Sequence, residues 1–293
     1  MFLVTGATGS IGRRAVQLLC DRDEAVRAFV RLSSRYEELE TRGAEIFIGD
    51  LRCDRDIRKA CRGIRHVIST HGSGRDVQEI DYRANIELID AACEAEVEHF
   101  TFISVLGADR NYADAPTFKA KRAVEKYLRA SGLNYTILQP SGLASSLLPL
   151  AERFQQTGIY LSIGDTQHRT SIVSTDDLAT IAIASATCEA ARNQTLPVGG
   201  PDALKRADIP RLFGRLFKKD PFVVNIPLQI FDGVRGGLSL VDAELARDLG
   251  TLRALVADEF FCTPAEIETL QSTYGLQLES VEAFLRRYTS AAD

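Results

Sequence analysis

A doubly wound parallel α/β sheet with a small, mostly helical C-terminal lobe is the fold this sequence predicts, on three observations. Short β-branched or aromatic runs alternate with longer amphipathic ones through the first two thirds of the chain. That alternation requires crossover connections, and so a parallel sheet with helices on both faces. Runs such as Phe2-Leu3-Val4 and Thr101-Phe102-Ile103 are apolar on successive positions, as strands covered on both faces are. Finally, Gly6, Gly9 and Gly12 join the first run to the first amphipathic segment.

In order, the expected strands are Phe2–Thr5, Ala25–Val30, Ala44–Ile48, His66–Thr70, His99–Ser104 and Tyr135–Gln139. Between them fall expected helices near Ile11–Asp21, Ser34–Arg42, Cys53–Cys61, Asp76–Ala95 and Thr117–Ala130. In the last of these Val124, Leu128 and Leu133 keep helical spacing and Gly132 is a stop signal. Beyond about Ile159 the rhythm changes. Thr195–Val198 is one more candidate strand and the remainder reads as helical. Thr263-Pro264-Ala265-Glu266 has an N-cap, a proline at the first helical position and a glutamate placed to close a capping box. A last helix near Ser280–Tyr288 sets Val281, Phe284 and Leu285 on one face.

Composition narrows the partners. The 293 residues suffice for one large core, or for a main domain with an appended lobe. With 35 basic against 40 acidic residues and no arginine-rich run, nucleic acid is not an expected partner. The six cysteines show no CxxC pair and no histidine at ligand spacing, so no metal site is expected and reduced thiols in a cytoplasmic protein are. The first strand starts at Phe2, which leaves no room for a targeting segment, and no apolar run is long enough to span a bilayer.

The glycine triplet has a specific chemical reading. It directly follows a strand and opens a helix, with a second strand ending about 20 residues on. The first glycine permits the tight turn, the second lets backbone approach a pyrophosphate, and the third lets helix and strand pack closely. Free N–H groups and the positive helix end then meet the phosphates. Gly6, Thr8, Gly9, Ser10, Ile11 and Gly12 are therefore the candidate pyrophosphate-binding residues of a Rossmann fold. The expected division is a dinucleotide-binding domain over 1–158, with 159–293 supplying remaining sheet elements and the lobe, packed as one unit.

The second strand is followed by Arg31, with Arg35 close behind and no carboxylate before Glu37. An acidic residue there binds the ribose 2′-hydroxyl of NAD, whereas arginine suits the 2′-phosphate of NADP. NADP(H) is thus expected in preference to NAD(H), the alternative being solvated surface arginines. After the third strand, Asp50 and Leu51 are candidates for the adenine side, Asp50 alternatively as N-cap of the next helix.

The segments TGATGSIG and FKAKRAVEKYLRASGLNYTILQPSG, with Arg31 between them, resemble an atypical short-chain dehydrogenase/reductase of the NmrA-like kind, from Met1 to about Pro201. In the wider superfamily a Ser, a Tyr and a Lys act together. Ser104 and Lys121 match the first and last, but Thr117 occupies the tyrosine position, four residues before Lys121. A threonine hydroxyl does not titrate near neutral pH, so the usual acid–base device is absent.

The resemblance leaves two readings open. One is a reductase passing hydride from NADPH to a small carbonyl, enone or quinone, with Lys121 holding the ribose and supplying the proton. The plainer role for Lys121 is an ion pair with Glu125 on an exposed helix face. The other reading is a non-catalytic NADP(H)-binding sensor or scaffold with a protein partner. Tyr112, in the loop after the Ser104 strand, is a candidate substitute acid. Thr70 and His71 follow the fourth strand, at the carboxyl edge where such sheets bind ligands, His71 either contacting cofactor or substrate or sitting exposed in a Gly-rich loop. By family analogy Pro140, Ser141 and Gly142 lie against the nicotinamide, and Asn85 matches a position that braces the active-site strand. His168, in a polar segment, either borders the substrate cleft or sits in an ordinary loop.

Overall fold

The computed structural model describes residues 1–72, 76–238 and 242–290. Seven strands form the central sheet: β1 (Phe2–Thr5), β2 (Val26–Val30), β3 (Glu45–Ile48), β4 (His66–Ser69), β5 (His99–Ile103), β6 (Tyr135–Pro140) and, out of sequence, β9 (Gln194–Val198). Their order is β3-β2-β1-β4-β5-β6-β9 and every pairing is parallel. The order reverses direction between β1 and β4, which opens a crevice at the carboxyl ends of those strands.

Helices α1 (Ser10–Cys20), α2 (Glu37–Thr41), α3 (Asp54–Ala60), α4 (Ala84–Glu94), α5 (Pro116–Ala130), α6 (Leu148–Thr157) and α7 (Thr175–Ala184) follow the strands in turn. In α1, Ile11, Ala15, Val16 and Leu19 recur at helical spacing and are all buried. Successive strand residues point to opposite faces. Val4 accordingly joins Val16, Leu19, Leu178 and Ile181 on one side, while Leu3 joins Ile57, Leu88, Phe102 and Val124 on the other. Burying each such side chain is worth about 1.5–3 kcal/mol, so this two-sided core fixes the sheet.

After α6 come β7 (Ile159–Ile163), β8 (Arg169–Thr170), β10 (Leu204–Lys205), α8 (Asp208–Phe217), β11 (Phe222–Ile226), α9 (Leu228–Leu238), α10 (Ala243–Ala257), α11 (Pro264–Tyr274) and α12 (Val281–Ser290). Phe154, Phe213, Phe284 and Leu285 form the apolar centre of this region. The Thr263 capping box is present: Glu266 N donates to Thr263 Oγ1 at 3.3 Å and Thr263 N to Glu266 Oε2 at 2.7 Å. Gly132 lies just past α5 at φ 84°. Among the described residues no helix is long and apolar enough to cross a membrane.

Several sequence expectations need correction. The C-terminal region is mostly helical as expected, but it also holds strand pairs that its pattern did not signal: β7 and β11 pair with each other in parallel, and β8 with β10 in antiparallel. The helix expected over Asp76–Ala95 is a π-helical turn, Val77–Arg83, running into α4. Asn85 Nδ2 donates to the carbonyl of Asp81 at 2.9 Å, a side-chain intrusion of the kind that loosens the regular ladder. The helix expected from Ser34 begins only at Glu37. Cys53 is the exposed N-cap of α3 and Cys61 its buried C-cap, so neither cysteine is inside that helix.

Candidate functional site

Gly6 sits at φ 71°, where a Cβ would lie 2.7 Å from Thr70 Oγ1 and 2.8 Å from His71 N. A Cβ on Gly12 would overlap the carbonyl oxygen of Gly6. Both positions exclude a side chain for reasons internal to the fold. Gly9 differs: among the described residues a Cβ there would meet only Gly6 O, at 3.2 Å. Gly9 is also the N-cap of α1, and neither a side-chain cap nor an acidic residue satisfies the first turn. Room and free N–H groups at a helix N-terminus fit a pyrophosphate.

From this turn a cleft of about 420 Å³ runs along the ends of β1, β2 and β3. Its lining brings together Gly6, Thr8, Gly9, Arg31, Asp50, Leu51, Thr70 and His71 from the candidate residues. Ser34 and Arg52 line it too; sequence reasoning passed them over, although each is adjacent to a motif already singled out. Arg52 is tied to Asp76 by two hydrogen bonds, from Nε at 3.0 Å and Nη2 at 2.5 Å. The guanidiniums of Arg31 and Arg35 are exposed and have no partner among the described residues. Asp50 Oδ1 accepts from Arg52 N at 2.9 Å. It therefore closes a turn and does not cap α3, whose N-cap is Cys53.

Ser10, Ile11 and Gly12 do not line this cleft. Ile11 belongs to the core, and Ser10 and Gly12 begin α1 beside it. Thr70 Oγ1 donates to Thr5 O at 2.8 Å, locking the glycine turn to β1. The buried His71 ring shares a 2.8 Å hydrogen bond with Thr5 Oγ1. Burial first, and the neighbouring Lys121 second, push its pKa down to about 3, so the imidazole is neutral. Ser73 and Gly74, also in the loop after β4, are outside the described residues. Asn85 Oδ1 accepts from Ser69 Oγ at 2.7 Å, joining α4 to β4.

On the β5–β6 side, Lys121 is buried, contrary to the exposed ion pair that its spacing with Glu125 suggested. Its Nζ donates to Ile103 O at 2.9 Å and lies 4.7 Å over the Phe102 ring. Burial lowers its pKa, while Asp81 and Glu125 oppose the shift. Ser104 Oγ donates to the buried Glu125 Oε1 at 2.5 Å and so is not directed at Lys121. Thr251 Oγ1 on α10 donates to Thr117 Oγ1 at 3.3 Å. Tyr112 donates to Asp258 Oδ2 at 2.7 Å and stacks edge-on against Phe118. Burial and then Asp258 raise its pKa, making it a poorer acid. Pro140 and Ser141 are buried and Gly142 half-buried at the end of β6. His168 lies away from the cleft, 3.7 Å from Asp165.

The sheet order, the open glycine turn and the cleft are those of a dinucleotide-binding Rossmann fold. The chain belongs to the NAD(P)H-binding family, whose model matches residues 6–189. It is 30% identical to the photosystem II assembly factor Ycf39 of Cyanophora paradoxa, over 98% of this chain and 92% of that protein. Identity to the NAD(P)H azoreductase of Xenophilus azovorans is 27%, over 99% of each chain. Among solved structures, an Escherichia coli NADPH-dependent quinone oxidoreductase complexed with NADPH superposes with a TM-score of 0.81 over 100% of both chains. At 18% identity that likeness is one of fold.

Proposed function

We propose that this chain is an NADP(H)-dependent reductase acting on a small carbonyl, enone or quinone. The supporting observation is the pairing of an open glycine turn with Arg31, unpartnered among the described residues, both on one cleft. In this reading Gly9 and the first turn of α1 receive the pyrophosphate, while Arg31 and Arg35 face the 2′-phosphate. Residues 1–158 form the dinucleotide face and 159–293 wall the acceptor side.

Bound NADPH supplies the hydride. Lys121 holds its ammonium at Ile103 O, on the half of the carboxyl edge that belongs to the nicotinamide. Its desolvation brings an amine closer to the range in which it donates a proton near neutral pH, directly or through water. The azoreductase and the quinone oxidoreductase are the relatives whose names agree with this reading.

A second reading, a non-catalytic NADP(H) sensor or assembly scaffold, is favoured by a different observation. The hydroxyls of Ser104, Thr117 and Tyr112 are all engaged within the protein. The similarity to an assembly factor agrees with it.

Side-by-side calorimetric titration with NADPH, NADP⁺, NADH and NAD⁺, followed by NADPH oxidation assays over a quinone and enone panel, separates the readings. Tight NADPH binding with turnover abolished by Lys121→Ala establishes the reductase. Binding without turnover on any acceptor supports the sensor, and absence of nucleotide binding overturns both.

A further inference from the structure

Glu125 stands one helical turn beyond Lys121 and is almost fully buried, with 3% of its surface exposed. Its carboxylate accepts three hydrogen bonds from three places. Ser104 Oγ, just past β5, donates to Oε1 at 2.5 Å, and Gln139 Nε2, near the end of β6, donates to the same oxygen at 2.8 Å. Arg129 Nη2, one turn further along α5, donates to Oε2 at 2.9 Å. The backbone continues the same junction: Ser104 N donates to Leu138 O at 2.8 Å and Leu106 N to Pro140 O at 3.0 Å. Meanwhile Lys121 grips the last carbonyl of β5. Helix α5 thus holds the end of β5 twice, once by main chain and once by side chain, and ties β6 to it through a single carboxylate.

A buried carboxylate is expensive unless its oxygens are satisfied. Two of the three donors to Glu125, Ser104 and Gln139, are at the carboxyl edge of β5 and β6. In a doubly wound sheet the adenosine half lies over β1–β3, where the cleft is, and the second half over β4–β6. We propose that Glu125 is a positioning residue whose carboxylate sets the ends of β5 and β6 to receive the nicotinamide half of the dinucleotide. This rests on the dinucleotide reading above. Glu125 touches no ligand itself; it acts through Ser104 and Gln139, and through them on the Pro140-Ser141-Gly142 turn.

The test uses the full chain and two probes. NADPH spans both halves and is followed by fluorescence; adenosine 2′,5′-bisphosphate reaches only the adenosine half and is followed by calorimetry. Glu125→Ala should bind NADPH about tenfold more weakly, the loss expected from disturbing charge-assisted hydrogen bonds, while binding the bisphosphate like wild type. Glu125→Asp should recover part of the loss. Unchanged NADPH affinity overturns the proposal, and so does an equal loss for both probes, which signals general damage. If the alanine variant does not fold, Glu125→Gln, which still accepts from Ser104 but turns an amide toward Arg129 or Gln139, should show the same selective loss; a parallel loss or none overturns the proposal. A wild-type chain that binds neither probe overturns the dinucleotide reading itself.

Discussion

Thr251 on α10 places its hydroxyl 3.3 Å from that of Thr117 on α5, the residue that the resemblance to short-chain dehydrogenases matches to their tyrosine. Next to it, a Cβ on Gly250 would overlap the carbonyl oxygen of Asp114. The C-terminal lobe is therefore packed directly on the spot a phenol ring would need.

Restoring that ring should be costly. We predict that Thr117→Tyr destabilises the chain by about 1–3 kcal/mol through overpacking. Thr251→Ala, which removes one half-buried hydrogen bond, should cost about 1 kcal/mol or less. Urea unfolding measures both, and a Thr117→Tyr variant as stable as wild type would show that α10 yields.

The glycines should separate folding from binding. Gly12→Ala forces a methyl against Gly6 O and to 2.7 Å from Thr70 Oγ1, so we expect a loss of about 3 kcal/mol, seen as a lowered melting midpoint. Gly9→Ala leaves stability within about 1 kcal/mol of wild type, yet weakens NADPH about tenfold by filling the pyrophosphate cradle. Equal melting points for the two variants would contradict the distinction.

Arg31 should decide between coenzymes. In the proposed reading, replacing it with Ala removes a charge-assisted contact available only to the 2′-phosphate. NADPH affinity should fall about tenfold or more and NADH affinity stay level. A uniform loss for both coenzymes would reassign Arg31 to the shared part of the molecule.

His99 should make stability depend on pH. Its Nε2 lies 3.0 Å from Thr136 Oγ1, and because that hydroxyl donates to Ala191 O, the ring nitrogen must be the donor. Burial, helped by the charges of His66 and Arg192, lowers its pKa from 6.5 to about 4. Below pH 6.5 the unfolded chain takes up a proton that the folded chain refuses. The stabilisation is thus complete above pH 6.5 and is lost as pH falls towards 4, by about 3 kcal/mol in all. Melting curves of wild type and His99→Gln across that window should converge as the pH drops; parallel curves would sink the assignment.

What the sequence disclosed and what it withheld follow from range. The glycine turn, Arg31 and the strand–helix alternation are written in neighbouring residues, so β1 through β6 were legible. Strand β11 was not, because Phe222–Ile226 becomes a strand only by pairing with Ile159–Ile163, far back in the chain. Nor was the orientation of Ser104. Lys121 and Glu125, four residues apart, read as an ion pair, yet packing of α5 on β5 sends the lysine to Ile103 and the carboxylate to Ser104 and Gln139.

Strand β9 has a consequence for how the molecule is made. Among the described residues it alone covers the outer edge of β6, pairing from Thr136 to Pro140, but it is synthesised only after α6, β7, β8 and α7. At ribosomal speeds of about 5–20 residues per second, the nascent chain spends several seconds with six strands formed and the main-chain donors and acceptors of β6 exposed to pairing with neighbours. A chain cut short between Pro140 and Gln194 keeps β6 but leaves that edge permanently bare, so such fragments should be found with chaperones or in inclusion bodies.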